Sequence, residues 1–168
     1  MAKITVKGIV LCGIFAALTV VGSRIAIPIG AVPVTLATFF TYMAAYLLPP
    51  RYAAASQILF IMAAAFFDGG IGALLGPLGG FRIGMVLCAF LAGLVIRKTG
   101  GKTIPGILAL TGGTLFGIYL FGILWYMALK SVPFSAAFSV CVLPFIPGDS
   151  LKIALTVLIA GRIRKWVN

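Results

Sequence analysis

Asp149 and Lys152 stand three residues apart in Leu143-Pro-Phe-Ile-Pro-Gly-Asp-Ser-Leu-Lys152, inside an otherwise apolar segment. On a helix that spacing puts both side chains on one face. There a carboxylate can accept N–H groups and an ammonium can donate to a carbonyl. The chain has only two acids, Asp149 and Asp68, so one of them has been placed in greasy surroundings. An Asp after Pro-Gly also makes a good helix N-cap, with Lys152 neutralising it. A Ser would cap without burying charge, which favours recognition of a polar ligand away from bulk water. Arg82 opens a second question. It falls in the first turn of an expected helix, where the dipole is already positive. A cation there is favourable if an anion arrives, because amides and a guanidinium together bind a carboxylate or phosphate. Pairing with Asp68, or reaching lipid headgroups, is the competing account of Arg82.

Other chemistries lack their residues. There is no histidine, which removes His-based acid–base catalysis and most transition-metal sites. Cys12, Cys88 and Cys141 lie far apart in three apolar segments and read as buried small hydrophobes. Gly100-Gly101-Lys102-Thr103 ends like a P-loop, but Ile96 stands where the first glycine belongs and no strand precedes it. An intramembrane aspartyl enzyme built on Asp68 and Asp149 is a remote alternative. It would need Gly where Ile146 stands. Ser150 near Lys152 has no further support as a nucleophile pair. No cofactor or metal is called for.

These residues must be positioned by membrane helices. The 168 residues are 62% hydrophobic and 9% charged, against about 25% charged in an ordinary soluble domain. The expected fold class is an all-α integral membrane protein: a six-transmembrane-helix bundle forming a single domain over residues 1–168. Its apolar segments run from about Thr5 to Ile27, Val34 to Leu48, Tyr52 to Phe67, Gly80 to Arg97, Ile104 to Leu129 and Phe134 to Ile163. Pro144, Pro147 and Gly148 should break the last into a short leading piece and a helix from about Asp149. The N-terminal run is long and no A-x-A site follows, so it reads as a retained first helix. Asp68 opens a stretch with six glycines between 69 and 80. Such backbone cannot face lipid, and an outer loop over the bundle mouth fits it.

The net charge of +11 sorts by side rather than pointing to nucleic acid. With an even number of spans, Lys3, Lys7, Arg51, Arg97, Lys98, Lys102, Arg162, Arg164 and Lys165 share one face. Arg24, Arg82, Lys130 and Lys152 fall toward the other. Nine cations against four makes both termini cytoplasmic. Asp68, Arg82, Asp149 and Lys152 then cluster in the outer half, where each charge costs about 2.5–3.5 kcal/mol on insertion scales. A purely structural subunit would have no use for such a cluster.

The first helix carries small residues at four-residue spacing: Gly8, Cys12 and Ala16, and in the adjacent register Gly13 and Ala17. Such stripes let helices approach closely in lipid, within the bundle or against a partner.

Three motifs together resemble one family: Ile27-Pro-Ile-Gly-Ala-Val-Pro-Val-Thr-Leu-Ala-Thr38, Gly72-Ala-Leu-Leu-Gly-Pro-Leu-Gly-Gly-Phe81, and Leu143 to Lys152. They are similar to the biotin-capturing S components (BioY) of energy-coupling-factor vitamin transporters, over nearly the whole chain. The resemblance implies a six-helix binding protein of a prokaryotic plasma membrane, without ATPase activity. Its site would open outward. Its partners would be the lipid bilayer, a transmembrane coupling protein and two ATP-binding-cassette ATPases. In the family the loaded component topples and releases the vitamin inside. The resemblance places Asp149 and Lys152 at the ureido end of biotin and Arg82 at its carboxylate, with Gly13 and Ala17 facing the coupling protein. Phe81 and Val34 are expected along the hydrocarbon part. Ala37 stands where the family usually has Gln. Asp68 stands where it usually has an Asn touching the ureido ring, so Asp68 and Asp149 are expected around one polar head. A related S component tuned to another small carboxylate is the alternative.

Overall fold

The computed structural model describes residues 5–28, 32–68, 70, 72 and 75–167, without the side chains of 165–167. Seven helices stand among them. They are α1 (Val6–Arg24), α2 (Ala37–Leu47), α3 (Pro50–Phe67), α4 (Gly79–Lys98), α5 (Thr103–Lys130), α6 (Phe134–Cys141) and α7 (Ile146–Val167). Helices answer the demand that every backbone polar group be satisfied internally where water is absent. Their ends follow local chemistry. Thr5 caps α1 by accepting from the Gly8 N–H at 3.3 Å. Pro50 opens α3 at a position where its missing N–H costs nothing. Gly100 and Gly101, with φ of 71° and 67°, close α4 in a left-handed turn. That turn is what Gly-Gly-Lys-Thr builds.

Four helices, α1, α3, α4 and α5, are long and apolar enough to cross a membrane, and α6 with α7 makes a fifth candidate bent by 48°. The expected sixth differs. Val34 and Thr35 form strand β2 (Val34–Thr35), which pairs antiparallel with β1 (Ala26–Ile27), placing Ala26 opposite Thr35 and Ile27 opposite Val34. Only 11 residues remain for α2, about 16 Å of helix. The bundle is therefore helical with one small ribbon. The family-like stretch 29–31 between the two strands lies outside the described residues.

Despite its length α2 is the core of the molecule. Residues from Thr41 to Leu48 are all buried, and α2 packs on α1, α4 and α7. Helices α4 and α5 approach closely: a Cβ at Gly84 would lie 2.6 Å from the Gly117 carbonyl oxygen. Only glycine on both sides lets these two backbones touch. Gly117 belongs to a π-helical turn, Thr114–Tyr119, in the middle of α5. Such turns often occur at functional sites.

Of the glycine-rich connection between α3 and α4, residues 69, 71, 73 and 74 lie outside the described ones. Its far end is held: Trp125 Nε1–H donates to the Gly76 carbonyl at 3.0 Å.

Candidate functional site

The chain breaks over residues 142–145 and restarts as α7 at Ile146, earlier than Asp149. Pro147 falls in the first turn, where proline is tolerated. The Asp149 amide already donates to Phe145 O at 2.8 Å. Asp149 is thus inside the helix rather than its N-cap, and its carboxylate is turned to other elements. Oδ1 accepts from Lys152 Nζ at 3.0 Å and from Thr38 Oγ1 at 3.1 Å. Oδ2 accepts from the Tyr119 hydroxyl at 2.9 Å. Lys152 Nζ also donates to Thr35 O at 2.8 Å and Thr38 Oγ1 at 2.9 Å. Asp149 is 2% exposed and Lys152 8%, so this pair is tolerable only because each charge is met by the other and by hydrogen bonds.

A second cluster gathers three helix ends. Arg82, in the first turn of α4, donates through Nη2 to Asp68 Oδ2 at 2.5 Å. Arg24, the last residue of α1, meets Oδ1 of the same carboxylate at 2.8 Å. Asp68 itself is the C-cap residue of α3. Two guanidinium groups thus hold Asp68, which the sequence reading expected around one polar head with Asp149. The pairing of Arg82 with Asp68 is present, as the competing account of that arginine held.

Both clusters open on one cavity of about 380 Å³. Arg24, Asp68 and Arg82 line it, as do Asp149, Lys152, Thr35 and Thr38. Apolar walls come from Val32, Phe60, Phe81, Met85, Ile118 and Phe145. Phe81 and Phe145 stack with ring centroids 5.7 Å apart. Val34, expected on that wall, is buried beside Gly148 and is not among the lining residues. The result is a chamber of ligand size, with a carboxylate–ammonium pair and a two-arginine cluster bordering an apolar body.

Four lining or supporting residues escaped the sequence reading. Thr35 and Thr38 lay within a quoted motif but had no assigned task. Arg24 was counted only as a charge on one side. Tyr119 had no local signal, because its reach to Asp149 depends on the π-turn.

On α1 the two small-residue registers separate. Gly8, Cys12 and Ala16 are buried against the bundle. Gly13 and Ala17 are exposed, and nothing lies within 4 Å of a Cβ built on Gly13. They share their face with exposed Ile9, Val10, Ile14, Leu18 and Val21.

The family model described as "BioY family" matches residues 1–168. A "Probable biotin transporter BioY" of Pyrococcus horikoshii is 37% identical over 165 residues, covering 94% of this chain and 96% of that protein. The "Biotin transporter BioY" of Thermotoga maritima is 34% identical, covering 95% and 96%. A solved structure, the "S-component for biotin from an ECF-type ABC transporter", superposes with a TM-score of 0.86 at 28% identity, covering 97% of this chain and 95% of that one.

Proposed function

The chain belongs to the BioY family, and from that premise we propose that it is the substrate-capture component of an energy-coupling-factor importer, with biotin as ligand. The observation that carries the reading is the cavity's two-ended chemistry. Biotin has a ureido head with two N–H donors and a carbonyl, an apolar middle and a terminal carboxylate. Asp149, an ionised acceptor, suits the N–H groups, and Lys152 suits the carbonyl. Arg82 suits the carboxylate, and Phe81 with Phe145 suits the apolar middle. The names of the relatives support the same ligand and a binding role rather than an enzymatic one. Asp68 and Asp149 are held by different cations, which speaks against an aspartyl dyad.

In this reading the ribbon and α2 together complete the sixth crossing, the single domain spans 1–168, and both termini are cytoplasmic. Gly13 and Ala17 face a transmembrane coupling protein that carries two ATP-binding-cassette ATPases, whose ATP hydrolysis drives release inside the cell. A second reading keeps the class and changes the ligand to another small carboxylate; Ala37 and Asp68, which both line the cavity, favour keeping it open.

The test is calorimetric titration of the detergent-purified chain with biotin and with biotinamide, alongside mass spectrometry of any co-purifying small molecule. Tight biotin binding is expected. Arg82→Ala should cost about 1.5–3 kcal/mol with biotin, the range for a hydrogen bond to a charged group, and far less with biotinamide. A different stoichiometric ligand, with no biotin binding, would move the chain to the second reading.

A further inference from the structure

The double use of Asp68 is not explained by ligand capture alone. We infer that Arg24 is a second carboxylate-recognising residue, and that Asp68 is an internal counter-ion that tunes the site to a ligand bearing a single negative charge. The inference rests on the capture reading and deepens it.

The geometry points there first. Asp68 gives one oxygen to each arginine, Oδ1 to Arg24 and Oδ2 to Arg82. It meets Nη2 of each arginine, and the guanidinium fork is suited to carboxylates. All three side chains border the cavity. A ligand carboxylate entering between the arginines would therefore meet two cations already spaced to hold one carboxylate.

Charge points the same way. Among the described lining residues, Arg24, Arg82 and Lys152 are cations and Asp68 and Asp149 are anions. One positive charge is left over. Lys152 and Asp149 cancel at their own end, so the excess sits at the arginines. A monoanion neutralises it and a neutral amide does not. Were residue 68 neutral, the excess would be two charges.

Exposure supplies the route and the reason for Asp68. The Arg24 side chain is 53% exposed and that of Arg82 9%. Exposed ion pairs are weak and exchange readily, so the Arg24–Asp68 contact can yield to an arriving carboxylate. Arg82 differs, because a buried cation at a helix N-terminus is costly when unpaired. Asp68 stabilises it while the site is empty and competes with the ligand once one arrives.

The experiment compares wild type, Arg24→Gln, Arg24→Lys and Asp68→Asn by calorimetry with biotin and biotinamide, reading the ratio of the two affinities. Arg24→Gln should reduce the preference for the acid about two- to fivefold, as expected for losing a half-exposed ion pair. Arg24→Lys should recover part of it. Asp68→Asn, purified with biotin and then stripped, should raise the preference for the acid. An unchanged ratio in Arg24→Gln, or equal weakening of acid and amide, would make Arg24 a packing residue and overturn the inference. If wild type binds neither compound, the biotin reading fails by itself. Heptanoate and heptanamide then put the question to the arginines through thermal stabilisation. Stabilisation by heptanoate alone, lost in Arg24→Gln, sustains the inference, and its absence overturns it.

Discussion

Tyr119 donates its hydroxyl proton to Oδ2 of Asp149 at 2.9 Å, joining α5 to α7 behind the carboxylate that borders the cavity. The contact depends on the π-helical turn that Tyr119 completes. A π-turn holds an extra residue, which re-phases the side chains after it relative to those before. The same turn presents Gly117 to Gly84, so that α4 and α5 meet backbone to backbone. One local irregularity thus sets both a helix contact and the orientation of the buried carboxylate.

Tyr119→Phe should therefore cost about 1.5–3 kcal/mol of stability, the range for a hydrogen bond to a charged group. Thermal unfolding in detergent reads the loss. Biotin and biotinamide should weaken together, because the tyrosine acts at the head of the ligand. Selective weakening of the acid would place Tyr119 in the wrong half of the site.

Lys152→Met should be more damaging than removing both charges. It strands Asp149 in a place where only 2% of its surface is exposed, and breaking a buried pair costs about 3–5 kcal/mol. Asp149→Asn with Lys152→Met removes the stranded charge. The double variant should elute as a monodisperse species in size-exclusion chromatography where the single variant aggregates, and it should bind no biotin. Equal behaviour of the two variants would show that the pair is not electrostatically coupled.

The sequence exposes these relationships unevenly. Burying Asp149 and Lys152 in an apolar segment is expensive, so their presence is a signal readable without coordinates. Pro144 foretells the bend before α7, whereas Pro147 and Gly148, expected to share in the break, fall inside the helix, because proline fits a first turn. The span of α2 is misread for a physical reason: Val34 and Thr35 are as apolar or β-prone as any strand residues, and hydropathy does not distinguish a strand from the start of a helix. The Arg82–Asp68 pair is legible as one account of that arginine, but Arg24 as a second partner is not, because it comes from another helix. A pairing of that kind is set by packing, which no local pattern reports.

The two registers of α1 should respond oppositely to bulk. Gly13→Leu projects into open space, so folding and biotin binding should persist while energised uptake is lost, if that face docks a coupling protein. Gly8→Leu meets the Tyr52 ring, which lies 2.5 Å from a Cβ at that position. It should destabilise the chain itself. Uptake assays in cells, paired with binding in detergent, separate the two. Normal uptake by Gly13→Leu with intact assembly would remove the docking role from this face.

The cationic end of the bundle should face the cytoplasm. Its residues are drawn together by packing as well as by sequence position. The Thr5 amide donates to the Tyr52 hydroxyl at 2.8 Å, beside Arg51 stacked on the same ring. The Tyr46 hydroxyl donates to Gly101 O at 2.6 Å, and Arg164 lies over the Tyr46 ring. Lys7, Arg51, Lys98, Lys102 and Arg164 therefore sit near one end, and Arg24, Asp68 and Arg82 at the other. Positive charge is retained on the cytoplasmic side, so the expected orientation has the mouth of the cavity outside. With Cys12, Cys88 and Cys141 replaced by alanine, a membrane-impermeant maleimide should label Leu75→Cys in intact cells and Lys98→Cys only after permeabilisation. Leu75 is a sound probe because it is 56% exposed, whereas Gly70 has a φ of 88° that a cysteine would strain. Labelling of Leu75→Cys only after permeabilisation would invert the topology, and a site that opens inward could not capture a ligand from outside.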